Sequence, residues 1–148
     1  MNLREFLKNN ETDIYHRYIS EIWSFNDEQI ETTHNFIQFL FPLTQPSKNS
    51  LNKIYINSDD LLCELKSDKK VRESIIYSSN WYFSFLERNQ HWQTYYDHNH
   101  LRISRVIESL NVIVSNRQAN RFYKQVLDIC IEELINDETK LIWKSKTY

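Results

Sequence analysis

Not one of the 148 residues is glycine. Such a chain has no residue that enters left-handed backbone without steric cost. Several loop-based functions are thereby excluded. A Walker A loop, a G-x-G-x-x-G turn and a G-x-S-x-G nucleophile elbow all need glycine for a tight bend or a close approach to substrate. Turns must be made another way. The 15 asparagines are the next most tolerant of left-handed backbone and are expected to serve them.

The length suits one domain over 1–148, able to bury roughly 70% of its unfolded surface. Hydrophobic residues make up 41% and aromatics 14%, ample for a core without staples. A net charge of −2 argues against a nucleic-acid partner, which calls for a basic excess or stripe. Cys63 and Cys130 form no CxxC and no zinc spacing. They are expected as free core thiols of a reducing cytoplasm. The N-terminal "MNLREFLKNN" carries charges where a signal peptide needs an apolar run. The longest apolar stretch, "FIQFLFPL", falls far short of the ~20 residues of a transmembrane span. A cytoplasmic protein without a membrane segment is expected.

Periodicity predicts an all-α, compact single-domain bundle of five to seven helices. Ile14, Tyr18 and Ile22, with Tyr15, Ile19 and Trp23, recur every fourth residue and predict a helix over 11–25, with His16 solvated off the stripe. Asn26 reads as the N-cap of a helix over about 27–41, with Gln29 at the capping-box position and Pro42 as its stop. Residues 42–57 read as a loop, extended in part at "KIYIN". Ser58 and Ser67 are expected to cap a short helix and a longer one over about 68–89. The longer one should bury Val71, Ile75, Tyr82 and Leu86, with Ser74, Ser78 and Ser79 in the same arc. A polar aromatic loop, "QHWQTYYDHN", follows. Helices over about 100–114 and 117–136 and one further turn in 137–148 complete the chain. Ser115 or Asn116 should cap the last long helix, which should turn Ala119, Phe122, Tyr123, Val126, Ile129 and Cys130 inward.

At 100° per residue, the 27–41 helix puts Ile30, Ile37, Leu40 and Phe41 on one apolar arc, with His34 and Gln38 at its rim. Phe39 falls about 140° from His34, in the middle of the polar face. Either another segment of the chain covers Phe39 or a partner does.

The second notable cluster is "YYDHNHLRISRVIESL", with Asp97, His98 and His100. His-x-His with a nearby acid can hold zinc from extended backbone, but on a helix the two imidazoles stand about 200° apart. Asp97 or Asn99 reads as the helix N-cap, so no metal and no cofactor are expected here. Arg102, Arg105 and Ser109 should share the outer face of this helix, as Arg117, Arg121 and Lys124 should on the next. Both stripes are diluted by acids and read as solvated. No nucleophile has a convincing base, so no catalytic residue is assigned.

Two stretches together carry a resemblance. "IETTHNFIQFLFPLTQPS" resembles the L-E-x-x-H-x-Y-I-Q-W-L-F-P-L-x-x-P signature of the opioid growth factor receptor conserved-domain family. "HNHLRISRVIESL" resembles that family's H-N-H-L-R-I-T-R-I-L-K-S-L, in the same order and at a fitting separation. The resemblance covers about residues 20–135. It carries over His34, Ile37, Gln38, Leu40, Phe41, Pro42, Leu43 and Pro46 from the first motif. From the second it carries His98, Asn99, His100, Leu101, Arg102, Ile103 and Arg105. Phe39 stands where the family has tryptophan. The resemblance implies an all-α domain that, in animals, forms the N-terminal part of a nucleus-associated receptor for Met-enkephalin.

The leading expectation is therefore a stand-alone, non-enzymatic, receptor-like module that binds a peptide or small protein. Trp23 and Phe39 would supply apolar contact, and His34, Gln38, Asn99, His100 and Arg102 polar contact. A guanidinium can clamp a peptide carboxylate with two parallel bonds. One alternative is a metal-assisted hydrolase using Asp97, His98, His100 and His34. Another is a purely structural or interaction domain whose two motifs only lock helix ends together.

Overall fold

Side-chain oxygens set the helix starts in this chain. In the computed structural model, which describes residues 1–48 and 53–148, Asn2, Asn26 and Asn136 each accept a bond from the backbone N–H three positions on. Ser58 and Ser115 do the same. Each cap satisfies one donor that the first helical turn leaves open. Three asparagines thus serve as caps. Only Asn9, with φ 62°, takes the left-handed role, and His16, at φ 64°, takes the other such position among the described residues.

The described residues form an all-α fold with no strand among them. The helices are α1 (Leu3–Leu7), α2 (Ile19–Trp23), α3 (Asp27–Thr32), α4 (Ile37–Leu40), α5 (Asp59–Ser67), α6 (Lys69–Arg88), α7 (His98–Ser109), α8 (Asn116–Ile129) and α9 (Asp137–Ser145). A π-helical turn, Leu110–Val114, extends α7, and a 3-10 turn, Glu132–Leu134, follows α8. None is long and apolar enough to cross a membrane. Among the described residues the helices exceed the expected five to seven because α1 forms and the helix expected over 27–41 is split, while α9 takes the place of the turn expected in 137–148. The chain divides into two compact units, Met1–Ser78 and Ser79–Tyr148, with the division falling inside α6.

In the first unit, the helices expected over 11–25 and 27–41 are both interrupted, and the two breaks have one cause. Asp13 is buried, and its carboxylate accepts from the Tyr15 and Arg17 backbone N–H groups at 2.8 and 3.1 Å. It also accepts from Arg17 Nε at 2.9 Å. The loop this makes delays helix formation until Ile19. The same Arg17 guanidinium donates to the side-chain and backbone oxygens of Asn35, at 3.0 and 3.1 Å. That carbonyl is withdrawn from any helical ladder, so the chain leaves helix at Thr33 and re-enters it at Ile37.

The break resets the angular phase. Phe39, expected on a polar face, is fully buried beside Phe6 of α1 at 6.1 Å edge-to-face and Tyr15 at 6.2 Å. This chain covers it with its own N-terminal helix. Phe36 is likewise buried, against Phe25 at 5.8 Å. Phe41, with φ −130° and ψ 70°, stops α4 ahead of Pro42 as expected.

The long α6 follows its expected stripe: Val71, Ser74, Ile75, Ser78, Ser79, Tyr82 and Leu86 are all buried. Ser78 admits the Trp23 indole, whose Nε1 donates to its hydroxyl at 2.9 Å. Asp68, rather than Ser67, caps α6, accepting from Lys70 N at 3.0 Å. Ser67 ends α5 instead. Cys63 is exposed, not in the core, because α5 buries only Leu65 and Cys63 lies two positions, about 200°, from it. Cys130, at the end of α8, is half-buried. Tyr123 and Ile129 are also half-buried, since the inward stripe of α8 narrows to Ala119, Phe122 and Val126.

Two stability predictions follow from the first unit. Asp13→Ala removes the buried carboxylate that the half-buried Arg17 side chain and two backbone N–H groups share, and should cost about 2 kcal/mol in urea unfolding. Burial pushes the Asp68 carboxyl up, but bonds from Arg4, Lys8 and the Lys70 N–H outweigh it and leave its pKa below the usual 3.8. A depressed carboxylate stabilises above its unfolded pKa and loses that contribution as pH falls through the folded one. The stability gap between the native chain and Arg4→Ala should therefore shrink when unfolding is measured below pH 3.8 instead of at pH 6.

Candidate functional site

The "HNH" motif builds the start of α7. Asp97 is the N-cap, and its Oδ1 accepts from Asn99 N and from Asn99 Nδ2, both at 2.9 Å. Asn99 Oδ1 in turn accepts from the Tyr82 hydroxyl at 2.5 Å and from Arg102 at 3.4 Å. Tyr82, Asn99 and Arg102 are all buried. His100 is buried too, its Nε2 sitting 2.7 Å from the Trp92 carbonyl, which requires the ring to donate from Nε2. The His100 carbonyl accepts from the Trp143 indole at 2.9 Å, and the two rings meet edge-to-face at 5.7 Å. Trp92 Nε1 also donates to the Leu86 and Asn89 carbonyls, closing the end of α6.

The outer face expected of α7 is not outer. Arg102 and Ser109 are buried and Arg105 is half-buried, while Leu101 is 67% exposed. The reason is that α7 packs against both α8 and α9, which cover more of its circumference than one apolar stripe. Burial pulls the Arg105 guanidinium down to about 10, with Glu108 opposing, so it stays cationic at neutral pH. On α8, Arg117 and Lys124 are exposed, whereas Arg121 is engaged by Gln118, Gln125 and Asn80.

The residues expected to bind a ligand are therefore placed very unequally. In the first unit His34 is exposed, while Gln38 and Phe39 are buried on α4. Trp23 is half-buried, its indole bonded to Ser78 and its ring 4.4 Å from Tyr77. In the second unit Asn99, His100 and Arg102 are inside the fold. His98 is exposed and His100 buried, two positions apart on one helix, so these two imidazoles do not converge.

The second unit does carry a groove that the sequence left unassigned. Its volume is about 530 Å³, and Tyr95, Tyr96, Glu132, Glu133, Asp137, Glu138 and Lys140 are among the residues that line it. That size suits a few side chains rather than a whole folded partner. Tyr95 and Tyr96 are 60% and 68% exposed and stand edge-to-face at 4.7 Å. Three side-chain anchors hold their loop. Gln93 Nε2 donates to the Ile129 carbonyl at 2.8 Å, and Gln93 Oε1 accepts from Ile131 N at 2.5 Å. Asn136 caps α9 and donates to the Tyr95 carbonyl at 2.6 Å. The signal in the sequence was the doublet "TYYD", whose two large rings lie outside any helical stripe.

The chain matches no family model, no curated protein and no solved structure.

The Asn99 network yields a measurable expectation. Asn99→Ala removes the oxygen that accepts from the buried Tyr82 hydroxyl at 2.5 Å and should cost about 2 kcal/mol in urea unfolding. In a Tyr82→Phe background the same change should cost measurably less, which a double-mutant cycle reads directly.

Proposed function

We propose that this chain is a non-enzymatic module that binds a peptide or small protein, a receptor-like domain of the opioid growth factor receptor conserved-domain kind. The groove beside Tyr95 and Tyr96 is the observation that carries the reading. It is open to solvent, its aromatic walls are anchored, and its dimensions fit side chains of a peptide. Anchored walls lower the ordering cost of binding. The family resemblance supports a binding role and supplies no catalytic residue.

The second motif has a supporting part in this reading. Asn99 Oδ1, His100 Nε2 and the His100 carbonyl hold α7 to Tyr82, Trp92 and Trp143, and Asp97 braces Asn99. Contact with a ligand falls instead to the exposed tyrosines that immediately precede the motif.

A random-peptide phage library panned on the full chain tests the proposal. Peptides that survive selection should bind the purified chain in calorimetry and shift the amide resonances of residues 95, 96 and 132–138. A library that yields no binding peptide overturns the reading.

A further inference from the structure

The groove has a chemical polarity that narrows its ligand. Four carboxylates, from Glu132, Glu133, Asp137 and Glu138, face one ammonium, that of Lys140. That ammonium is already spoken for: Lys140 Nζ lies 3.3 Å from Asp137 Oδ1 and donates to the Glu132 carbonyl at 3.0 Å. The chain as a whole has a net charge of only −2, so negative charge is concentrated here. The two exposed tyrosine rings add π-faces, which attract cations held over them. Aromatic faces and carboxylates in one groove complement a side chain with an apolar stem and a cationic head.

We infer that this groove takes a basic peptide segment, with a lysine or arginine side chain laid along Tyr95 and Tyr96 and its charge met by Glu133 and Glu138. The inference rests on the binding-module reading and specifies its ligand class. An acidic segment would meet four like charges, and a neutral one would leave the carboxylates uncompensated. A chelated metal ion is the competing occupant for a group of acids, and it would make no use of the tyrosines.

Fluorescence anisotropy with a labelled peptide of lysines interspersed with serines, titrated with the full chain, tests this. A glutamate–serine peptide serves as comparison. The lysine peptide should bind in 50 mM salt and weaken several-fold in 300 mM, as expected for solvent-exposed charges. Tyr95→Ala with Tyr96→Ala should weaken binding about fivefold or more. Thermal melting should be unchanged, because both rings stand clear of the core. Glu133→Gln with Glu138→Gln should weaken binding and flatten its salt dependence. Lys140→Gln, removing the one ammonium, should tighten it about twofold. Glu28→Gln with Glu64→Gln, exposed acids of the first unit, should leave it unchanged.

Several results overturn the inference: equal binding of the glutamate peptide, equal loss from the Glu28/Glu64 variant, full affinity in the tyrosine variant, or displacement of the lysine peptide by stoichiometric calcium. If any of these occurs while the phage library still yields binding peptides, only the basic ligand class fails. If the library yields none, the binding-module reading fails with it.

Discussion

His100 holds two tryptophans at once. Its ring donates to the carbonyl of Trp92, before α7, and its own carbonyl accepts the indole of Trp143, on α9. Trp92 in turn caps the end of α6 through the Leu86 and Asn89 carbonyls. One buried histidine therefore ties α6, α7 and α9 to the loop between α6 and α7. Each of these bonds is worth only about 1 kcal/mol net. Leaving one unmade inside the fold costs more than making it gains, so the set acts as a specification of position more than as a source of stability. The groove beside Tyr95 and Tyr96 inherits that specification, since its walls come from the loop and from the start of α9.

In the first unit Arg17 plays the comparable part. Its guanidinium reaches both the Asp13 carboxylate and the Asn35 carbonyl, and lies 5.2 Å over the Tyr15 ring. A single cation thus organises two loops that would otherwise compete to be helix. The consequence is the burial of Phe39. With α3 ended at Thr32, α4 can turn its single helical turn so that Phe39 enters the space beside Phe6.

What the sequence made legible follows the range of the interactions involved. The stripe of α6 was readable because α6 runs 20 residues without interruption, so its period dominates. The caps at Asn26, Ser58, Asp97 and Ser115 were readable because capping is local. The break between α3 and α4 was not, because it depends on Arg17 meeting a residue 18 positions away. Nor was the burial of Arg102 and Ser109: polarity assigns them to solvent, and only the packing of both α8 and α9 on α7 reverses that. The cluster of aromatic and acidic residues at the groove was illegible for the same reason. Gln93 and Asn136 join the stretches 93–95 and 129–136 by contacts spanning 36 to 41 positions.

The missing glycine bears on the groove as well. A loop of such a chain lacks the residue that contributes most backbone freedom to the unfolded and flexible states. The stretch 90–97 has no glycine and no proline, and Gln93 and Asn136 supply the constraints that turn geometry would otherwise provide. Side chains that pin a loop fix it in one place, whereas glycine-built turns leave neighbouring conformations open. Two exposed aromatic rings on so constrained a loop would lose little entropy if a ligand covered them, as the proposed binding role requires. The composition that excludes glycine-built Walker A loops and nucleophile elbows is therefore compatible with the proposed groove, whose shape and charge are set by side-chain contacts.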